Sequence, residues 1–285
     1  MSFADFKKKS QTSIADLQKK IEETESKESY KDDRFWKPQM DKSENGYAVI
    51  RFLPAPGDEE LPWVKTFSHG FQGKGGWFIE NCPTTIGGTC PVCQGNTELW
   101  NSGIESDKNI ARDRKRKMQY ISNILVVSDP SNPQNEGKVF LYRFGKKIFD
   151  KIQEAMSPEF EDEDPINPFD FWKGADFKLK IRKVAGYVNY DKSEFAAPSQ
   201  LFGGDDEQLE ALWKKEYSLQ AFVAPDQFKS YDELKKKFDS VIGADLRSTE
   251  TNNETVEDVE DTPSVKEEVS EETDALDYFE RLANE

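Results

Sequence analysis

Hydrophobic positions along the middle of this chain recur with two different periods, and the switches between them outline its elements. From Phe177 to Ile181 every second residue is apolar. Phe177, Leu179 and Ile181 share one face and Lys178, Lys180 and Arg182 the other, which predicts a half-buried strand with a row of positive charge outside. Residues 138–144 alternate in the same way, with Phe140, Tyr142 and Phe144 opposite Val139, Leu141 and Arg143. The period then lengthens. Ile148, Phe149, Ile152 and Met156 form one stripe of a helix predicted over Lys146–Met156.

Two more strands are predicted at 47–53, stopped by Pro54 and Pro56, and at 120–127, ended by Asp129-Pro130. The acidic, proline-containing stretch 159–168 reads as a loop. Helices are predicted at 205–216 and 231–238, the second opened by Ser230 with Glu233 as a capping box. Residues 1–26 form a polar arm whose Ile14, Leu17 and Ile21 recur at helical spacing. After Gly243 the periodicity ends in Glu/Asp/Thr/Ser-rich sequence, which predicts disorder over 244–285. The whole reads as a mainly β core with peripheral helices (α+β) over 27–243, flanked by a flexible arm and an acidic tail.

Candidate chemistry is concentrated in one place. The only histidine and all three cysteines, His69, Cys82, Cys90 and Cys93, fall within 25 of the 285 residues. Three thiols and an imidazole make a complete tetrahedral donor set, of the kind zinc uses at structural sites. Cys90-Pro91-Val92-Cys93 has the C-x2-C spacing that lets two thiolates of one turn grip one metal, with Gly87, Gly88 and Gly95 beside it. The expectation is one structural zinc ion in a subdomain at about 63–95. A redox C-x-x-C pair is expected instead near the start of a βαβ unit. A nucleobase deaminase needs H-x-E and P-C-x-x-C with an open zinc position, whereas this chain reads His69-Gly70-Phe71 and keeps its proline inside the pair. The plainest alternative is three unrelated buried thiols and a surface histidine.

Charge changes the picture further. The net charge of −16 argues against a polyanionic partner until its distribution is read. Residues 244–285 carry −12, while 106–151 carry +6. The basic peak is Arg112, Arg114, Lys115, Arg116 and Lys117, followed by Arg143, Lys146, Lys147 and Lys151. Such a run is often just a solvated face. Joined to a detachable acidic end, it suggests a cationic groove for which an anionic tail competes. No apolar run is long enough to span a bilayer, and residues 1–10 lack a signal-peptide core, so a cytosolic protein without a membrane partner is expected.

Short strands with a basic face and interleaved aromatics suit a β-barrel that binds single-stranded nucleic acid. Cations follow the phosphates, and rings stack on bases of any identity. Tyr120, Tyr142, Tyr187 and Tyr190 are the stacking candidates, and Phe144 a weaker one. Arg112, Arg114, Lys115, Arg116, Lys117, Arg143, Lys146, Lys147, Lys178 and Lys180 are the phosphate candidates.

Several of these stretches carry a resemblance. The metal window, Tyr47-Ala48-Val49-Ile50-Arg51-Phe52-Leu53-Pro54, Asn123-Ile124-Leu125-Val126-Val127, the run from Glu136 to Ile148, and Gly186-Tyr187-Val188-Asn189-Tyr190-Asp191 are similar to one known family. It is the helix-destabilising single-stranded DNA-binding protein family of T-even-like bacteriophages, and the likeness covers most of residues 45–240. The resemblance implies an OB-fold core with an inserted zinc subdomain ligated by His69, Cys82, Cys90 and Cys93. It implies a basic arm that mediates head-to-tail self-association on DNA, mapping to Lys7-Lys8-Lys9-Ser10. It also implies an acidic tail that recruits replication and recombination proteins, among them a polymerase, a helicase loader and a recombination mediator. Leu276, Phe279 and Leu282 fall on one side of a potential helix there and are the candidate contacts. Two departures stand out: Met118-Gln119 follow the core motif Lys115-Arg116-Lys117 where the family has hydroxyl residues, and Ile121 replaces a family tryptophan.

The function expected is stoichiometric, cooperative binding of single-stranded DNA in phage replication, recombination and repair, in the host cytoplasm, without catalysis. The competing readings are a zinc-dependent nucleic-acid-modifying enzyme and an acidic adaptor whose basic patch is merely solvated.

Overall fold

One long strand organises the sheet. The computed structural model describes residues 32–160 and 162–243. Strands β1 (Phe35–Trp36), β2 (Gly46–Phe52), β3 (Val64–Gly73), β4 (Gly76–Asn81), β5 (Lys117–Ser128), β6 (Val139–Phe144), β7 (Phe177–Val184), β8 (Tyr187–Asn189) and β9 (Glu194–Phe195) form one mixed sheet. Along one edge β5 pairs with β3 near its start and with β2 near its end, and along the other edge with β6. The hydrogen-bonded path runs β1–β6–β5–β2–β7–β8, with β4 on β3 and β9 on β7. Only the β1–β6 pair is parallel. Among the described residues no strand pair joins the two ends of this path.

The period-2 readings translate directly into two faces. Phe177, Leu179 and Ile181 of β7 are buried, as are Tyr142 and Phe144 of β6, and all five enter one core with Phe52, Ile124 and Val126. Helix α3 (Lys146–Met156) closes that core with Ile148, Phe149 and Ile152. The opposite face is not bare. Leu141 and Ile121 lie with Val64 and Leu219 in a second cluster, and Val139 and Leu125 with Leu53, Leu209 and Leu212 in a third. Both faces of β5 and β6 are thus packed along much of their length, which is why β5 reads as a nearly continuous apolar run.

Boundaries shift where tertiary contacts decide them. Helix α4 (Asp206–Trp213) is shorter than the pattern predicts, beginning after Asp205, whose carboxylate caps the backbone N–H of Glu207 and Gln208. Helix α5 (Tyr231–Ile242) is longer, with the predicted Ser230–Glu233 capping box in place. Hairpin β3–β4 and helices α1 (Pro91–Asn101) and α2 (Glu105–Arg114) were not predicted. Arm and tail, residues 1–26 and 244–285, lie outside the described residues, and with them Lys7, Lys8, Lys9, Ser10, Leu276, Phe279 and Leu282.

The segment that carries the Cys3His cluster packs against residues beyond 63–95. Phe71, Phe78, Cys82, Cys90 and Val92 pack against Leu234, Phe238 and Val241 of α5. So short a segment buries too little apolar surface alone, and a later helix supplies the rest. The β3–β4 turn lies flush on the end of α5: a side chain at Gly73 or Gly75 would collide with the carbonyls of Val241 or Ser240. The Gly75 N–H donates to the Val241 carbonyl at 2.8 Å.

Candidate metal centre and nucleic-acid interface

The four predicted ligands converge. Strand β3 presents His69, the end of the β4 segment presents Cys82, and Cys90 and Cys93 bracket the first turn of α1, where Pro91 occupies the position that needs no N–H donor. Their ligand atoms all lie within 4.8 Å of one another. The sulfurs of Cys82 and Cys93 are 3.6 Å apart, and His69 Nε2 is 3.5 Å from the Cys90 sulfur and 3.4 Å from that of Cys93. These are near-equal edges of one tetrahedron, and the group can hold a metal ion.

The surroundings hold the ligands in that pose. His69 Nδ1 is 2.9 Å from the Arg114 carbonyl, which leaves Nε2 facing the sulfurs. Thr84 Oγ1 is 3.1 Å from the Cys82 sulfur. Burial opposes the imidazolium, but its bonds to Cys82, Cys90 and the Arg114 carbonyl outweigh burial and push its pKa up to about 9. Hydrogen bonds from Cys90 and Cys93 hold the Cys82 thiol far below the usual range. Hydrogen bonds to Cys82 and Cys90 and burial push the Cys93 thiol the other way, far up, so a cation entering the cluster would have to displace protons from His69 and Cys93.

The predicted phosphate and stacking residues fall into separate groups. Lys115, Arg116 and Lys117 join α2 to β5, and Lys117 Nζ hangs over bare Gly70 on β3. Arg116 lies 4.3 Å over the Phe67 ring and donates to Thr84 Oγ1 at 3.0 Å. Arg114 is packed inward over Phe71 and Phe238, and burial lowers its pKa. Arg112 is tied to Glu105 at 2.7 Å and lies over Trp100. Arg143 emerges on the outer face of β6, 4.5 Å over Phe35.

At the other end of the sheet the expected positive row is largely neutralised. Lys180 pairs with Glu194 at 2.8 Å, and Arg182 pairs with Asp191. Lys146 pairs with Asp150 on α3, while Lys147 is exposed. Among the aromatics, Tyr187 is 79 % exposed at the β7–β8 turn and Tyr190 is half-buried against the core. Tyr142 is a core residue, 4 % exposed and edge-on to Trp36, with its pKa pushed up by burial. Tyr120 is stacked on Phe149 at 3.9 Å and is 7 % exposed. The expectation that Tyr142 and Tyr120 present free ring faces is corrected. A strand pairing that puts one ring outside puts its i+2 neighbour there too, and here that whole face is the core.

The structure also shows a feature that the sequence pattern does not announce. On the outer face of β3, β5 and β6 a cleft of about 310 Å³ is lined by Thr66, Ser68, Gln119, Arg143, Phe222 and Gln227, with Ile79, Glu80, Asn81 and Ile121 completing it. Its far wall is the segment after α4. Asn123 holds that segment by exchanging two hydrogen bonds with Tyr217, at 2.8 and 2.9 Å. Glu59 accepts from the N–H of Leu219 at 3.0 Å. Glu80 is bonded by Lys229 and Lys237, which lower its pKa against burial, so the one carboxylate at the cleft is already matched by cations. On β4, Ile79 and Trp77 alternate outward beside the cleft, 66 % and 59 % exposed. In the sequence Trp77-Phe78-Ile79 is an unbroken apolar run, which does not disclose that Trp77 and Ile79 face outward and Phe78 inward.

A mixed sheet with a cation-bearing cleft, an exposed tryptophan and a Cys3His cluster offers the cations and the ring face that a single-stranded nucleic acid needs. A family model described as "gp32 DNA binding protein like" matches residues 44–242, and the chain belongs to this family. It is 41 % identical over 244 residues to the single-stranded DNA-binding protein of Enterobacteria phage T2, covering 84 % of this chain and 80 % of that protein. The protein of the same name from Enterobacteria phage T4 is 41 % identical over 244 residues, with 84 % and 79 % covered. That of Escherichia phage SV14 is 41 % identical over 101 residues, 34 % of this chain and 89 % of its own length. The resemblance seen in the sequence is borne out. No helix among the described residues is long and apolar enough to cross a membrane.

Proposed function

We propose that this protein binds single-stranded DNA stoichiometrically and without catalysis in phage DNA replication, recombination and repair, inside the host cell. The observation that carries the reading is the outer cleft, where Arg143 sits among amide and hydroxyl side chains, with Lys117 and the exposed Trp77 on adjoining strands. Cations follow a phosphate chain, an exposed indole stacks on any base, and a cleft open along the sheet admits a strand without a duplex. The names of the T2 and T4 relatives support the same substrate. Lys115, Arg116, Lys117 and Arg143 carry the phosphates in this reading. Tyr187 and Tyr190 extend the stacking surface at the far hairpin.

The sheet is read as a partly open OB-type barrel, in which one long strand, β5, is shared between the β2 and β3 halves. The metal is read as zinc: zinc–sulfur bonds of about 2.3 Å in a tetrahedron give edges of about 3.8 Å, close to the spacings present. With four protein ligands such a site keeps no open position, which favours a structural role over an enzymatic one. The arm, through Lys7, Lys8, Lys9 and Ser10, is proposed to contact a neighbouring copy along the strand. The acidic tail is proposed to recruit phage replication and recombination proteins. The test is quenching of tryptophan fluorescence by a dT oligomer at increasing salt. Saturable quenching that weakens linearly in log–log form is expected. Absence of binding at low salt would instead establish the adaptor reading.

A further inference from the structure

Residues 32–36 bring the start of the described chain to the outer cleft. Strand β1 is only two residues long, and its register sets Phe35 opposite Leu141 and Trp36 opposite Tyr142. The Leu141 N–H donates to the Arg34 carbonyl at 2.8 Å. Trp36 turns into the core and donates from Nε1 to Asp129 at 2.9 Å. Alternation then sends Phe35 to the outer face, where it packs with Leu141, diagonal to Arg143 two residues further along β6.

Phe35 meets two residues that line the cleft. The Arg143 guanidinium lies 4.5 Å over its ring, and the Phe222 ring meets it edge-on at 5.5 Å. Arg34 lies 5.6 Å over Phe222, but its donors are spent on Asp32 at 2.9 and 2.7 Å. Arg143 differs: among the described residues nothing accepts a hydrogen bond from its guanidinium. A ring engages the face of a guanidinium and leaves the N–H groups in its plane unspent. Burial, opposed by the charge of Asp32, lowers the Arg143 pKa. A phosphate oxygen is the acceptor that such a partly desolvated cation lacks. An unsupported arginine would lose rotamer freedom on gripping that phosphate, and a ring beneath it removes part of the cost beforehand.

We propose that Phe35 is a positioning residue that holds Arg143 ready for a phosphate of the bound strand, so that docking of β1 and occupation of the cleft reinforce each other. The coupling is reciprocal: if β1 in place favours the phosphate, the phosphate favours β1 in place by the same factor. This deepens the single-stranded DNA reading above and rests on it.

The test uses the full chain as Phe35→Leu, Phe35→Tyr, Arg143→Ala and the Phe35→Leu/Arg143→Ala double variant. Leucine keeps apolar packing and removes the ring face. Phe35→Leu should weaken dT-oligomer binding about two- to fivefold, the worth of an exposed contact between a cation and a ring. It should also reduce the log–log salt slope, by no more than the value of about 0.7 for one single-strand phosphate contact. Phe35→Tyr should restore both, and the double variant should bind no more weakly than Arg143→Ala. Hydrogen exchange at the Leu141 N–H, which bonds Arg34, should slow when oligomer is added to the unaltered chain and slow less in Arg143→Ala. An unchanged slope in Phe35→Leu, effects that add in full, or exchange at Leu141 that ignores the oligomer overturns the proposal. The contact itself is read without DNA: the ring should shift Arg143 side-chain proton resonances upfield in the unaltered chain and in Phe35→Tyr, but not in Phe35→Leu. If that shift is present and the unaltered chain binds no single-stranded DNA, the functional reading fails and takes the proposal with it, while the contact stands. If the shift is absent, the proposal alone falls.

Discussion

His69 touches the metal cluster with one ring nitrogen and the start of the basic segment with the other: Nδ1 lies 2.9 Å from the Arg114 carbonyl, and Nε2 faces the sulfurs of Cys90 and Cys93. The Nδ1–H bond fixes the tautomer that offers Nε2 to a cation. It also fastens the end of α2, so the Cys3His cluster is tied to the entry to β5.

Metal removal is therefore expected to do more than empty a site. Metal analysis of freshly purified protein should find one zinc per chain. Chelation or Cys90→Ser should cost several kcal/mol, because binding energy at such a site is folding energy. Hydrogen exchange should rise first in β3, β4, α1 and the packed face of α5. Protection that is unchanged in α5 would contradict the shared core of Phe71, Phe78 and Phe238.

The outer cleft makes a second prediction. Lys117→Ala and Arg143→Ala should each reduce the log–log salt slope by about 0.7 and weaken binding. Lys180→Ala should move the slope less, since Lys180 is already paired with Glu194. Equal effects at Lys180 and Arg143 would place the strand across β7 instead.

Aromatic substitutions should separate stacking from packing. Trp77→Ala and Tyr187→Ala should each cost about 1–3 kcal/mol of DNA binding at any salt and leave the melting temperature nearly unchanged. Tyr142→Ala should instead cost about 3–5 kcal/mol of stability, the range for a large ring removed from a core. Circular-dichroism melts beside binding isotherms distinguish the two outcomes.

Glu216 predicts a pH dependence. Burial, with the charge of Glu59 second, pushes its carboxyl up to about 8, and neither of its oxygens has a hydrogen-bond partner among the described residues. Its folded pKa lies above the unfolded value near 4.5, so the native state binds the extra proton. Stability from this group is full below about pH 4.5 and is lost as pH rises toward 8. Glu216→Gln should remove that slope and stabilise the protein at pH 8 by on the order of 2 kcal/mol, read from urea unfolding at several pH values.

The tail is tested by removing it. Deletion of 244–285, which carries −12, should raise affinity for single-stranded DNA most at low salt, where charge competition is least screened. An unchanged affinity at low salt would show that the tail does not compete for the groove.

Much of this architecture is legible in the sequence because it depends on local period and local composition. The strand at Phe177–Val184 and the helix at Lys146–Met156 have the bounds their patterns predict, since each shows one clean apolar face. The capping box at Ser230 is likewise a four-residue property. His69, Cys82, Cys90 and Cys93 group together on spacing alone, because scarce ligand residues crowded into one window have few other reasons to do so.

Which face of each strand lies inside, and what sits beside it, follows from three-dimensional assembly. Alternation sorts Tyr142 from Arg143 but does not say which side is the core. Pairing with β5 and closure by α3 put Tyr142 inward and left Arg143 on the outer cleft. That cleft joins Thr66, Gln119, Arg143 and Phe222, and the metal lobe takes its remaining core from α5. Side chains so far apart in the chain share no period, and charge runs do not disclose that Lys180 meets Glu194 or that Arg116 meets Thr84. Neighbours along the chain are enough to define the strand at Phe177–Val184, the helix at Lys146–Met156 and the candidate ligand set, but not hairpin β3–β4 or helices α1 and α2. The binding surface needed the assembled sheet, because burial and charge pairing are set by neighbours in space.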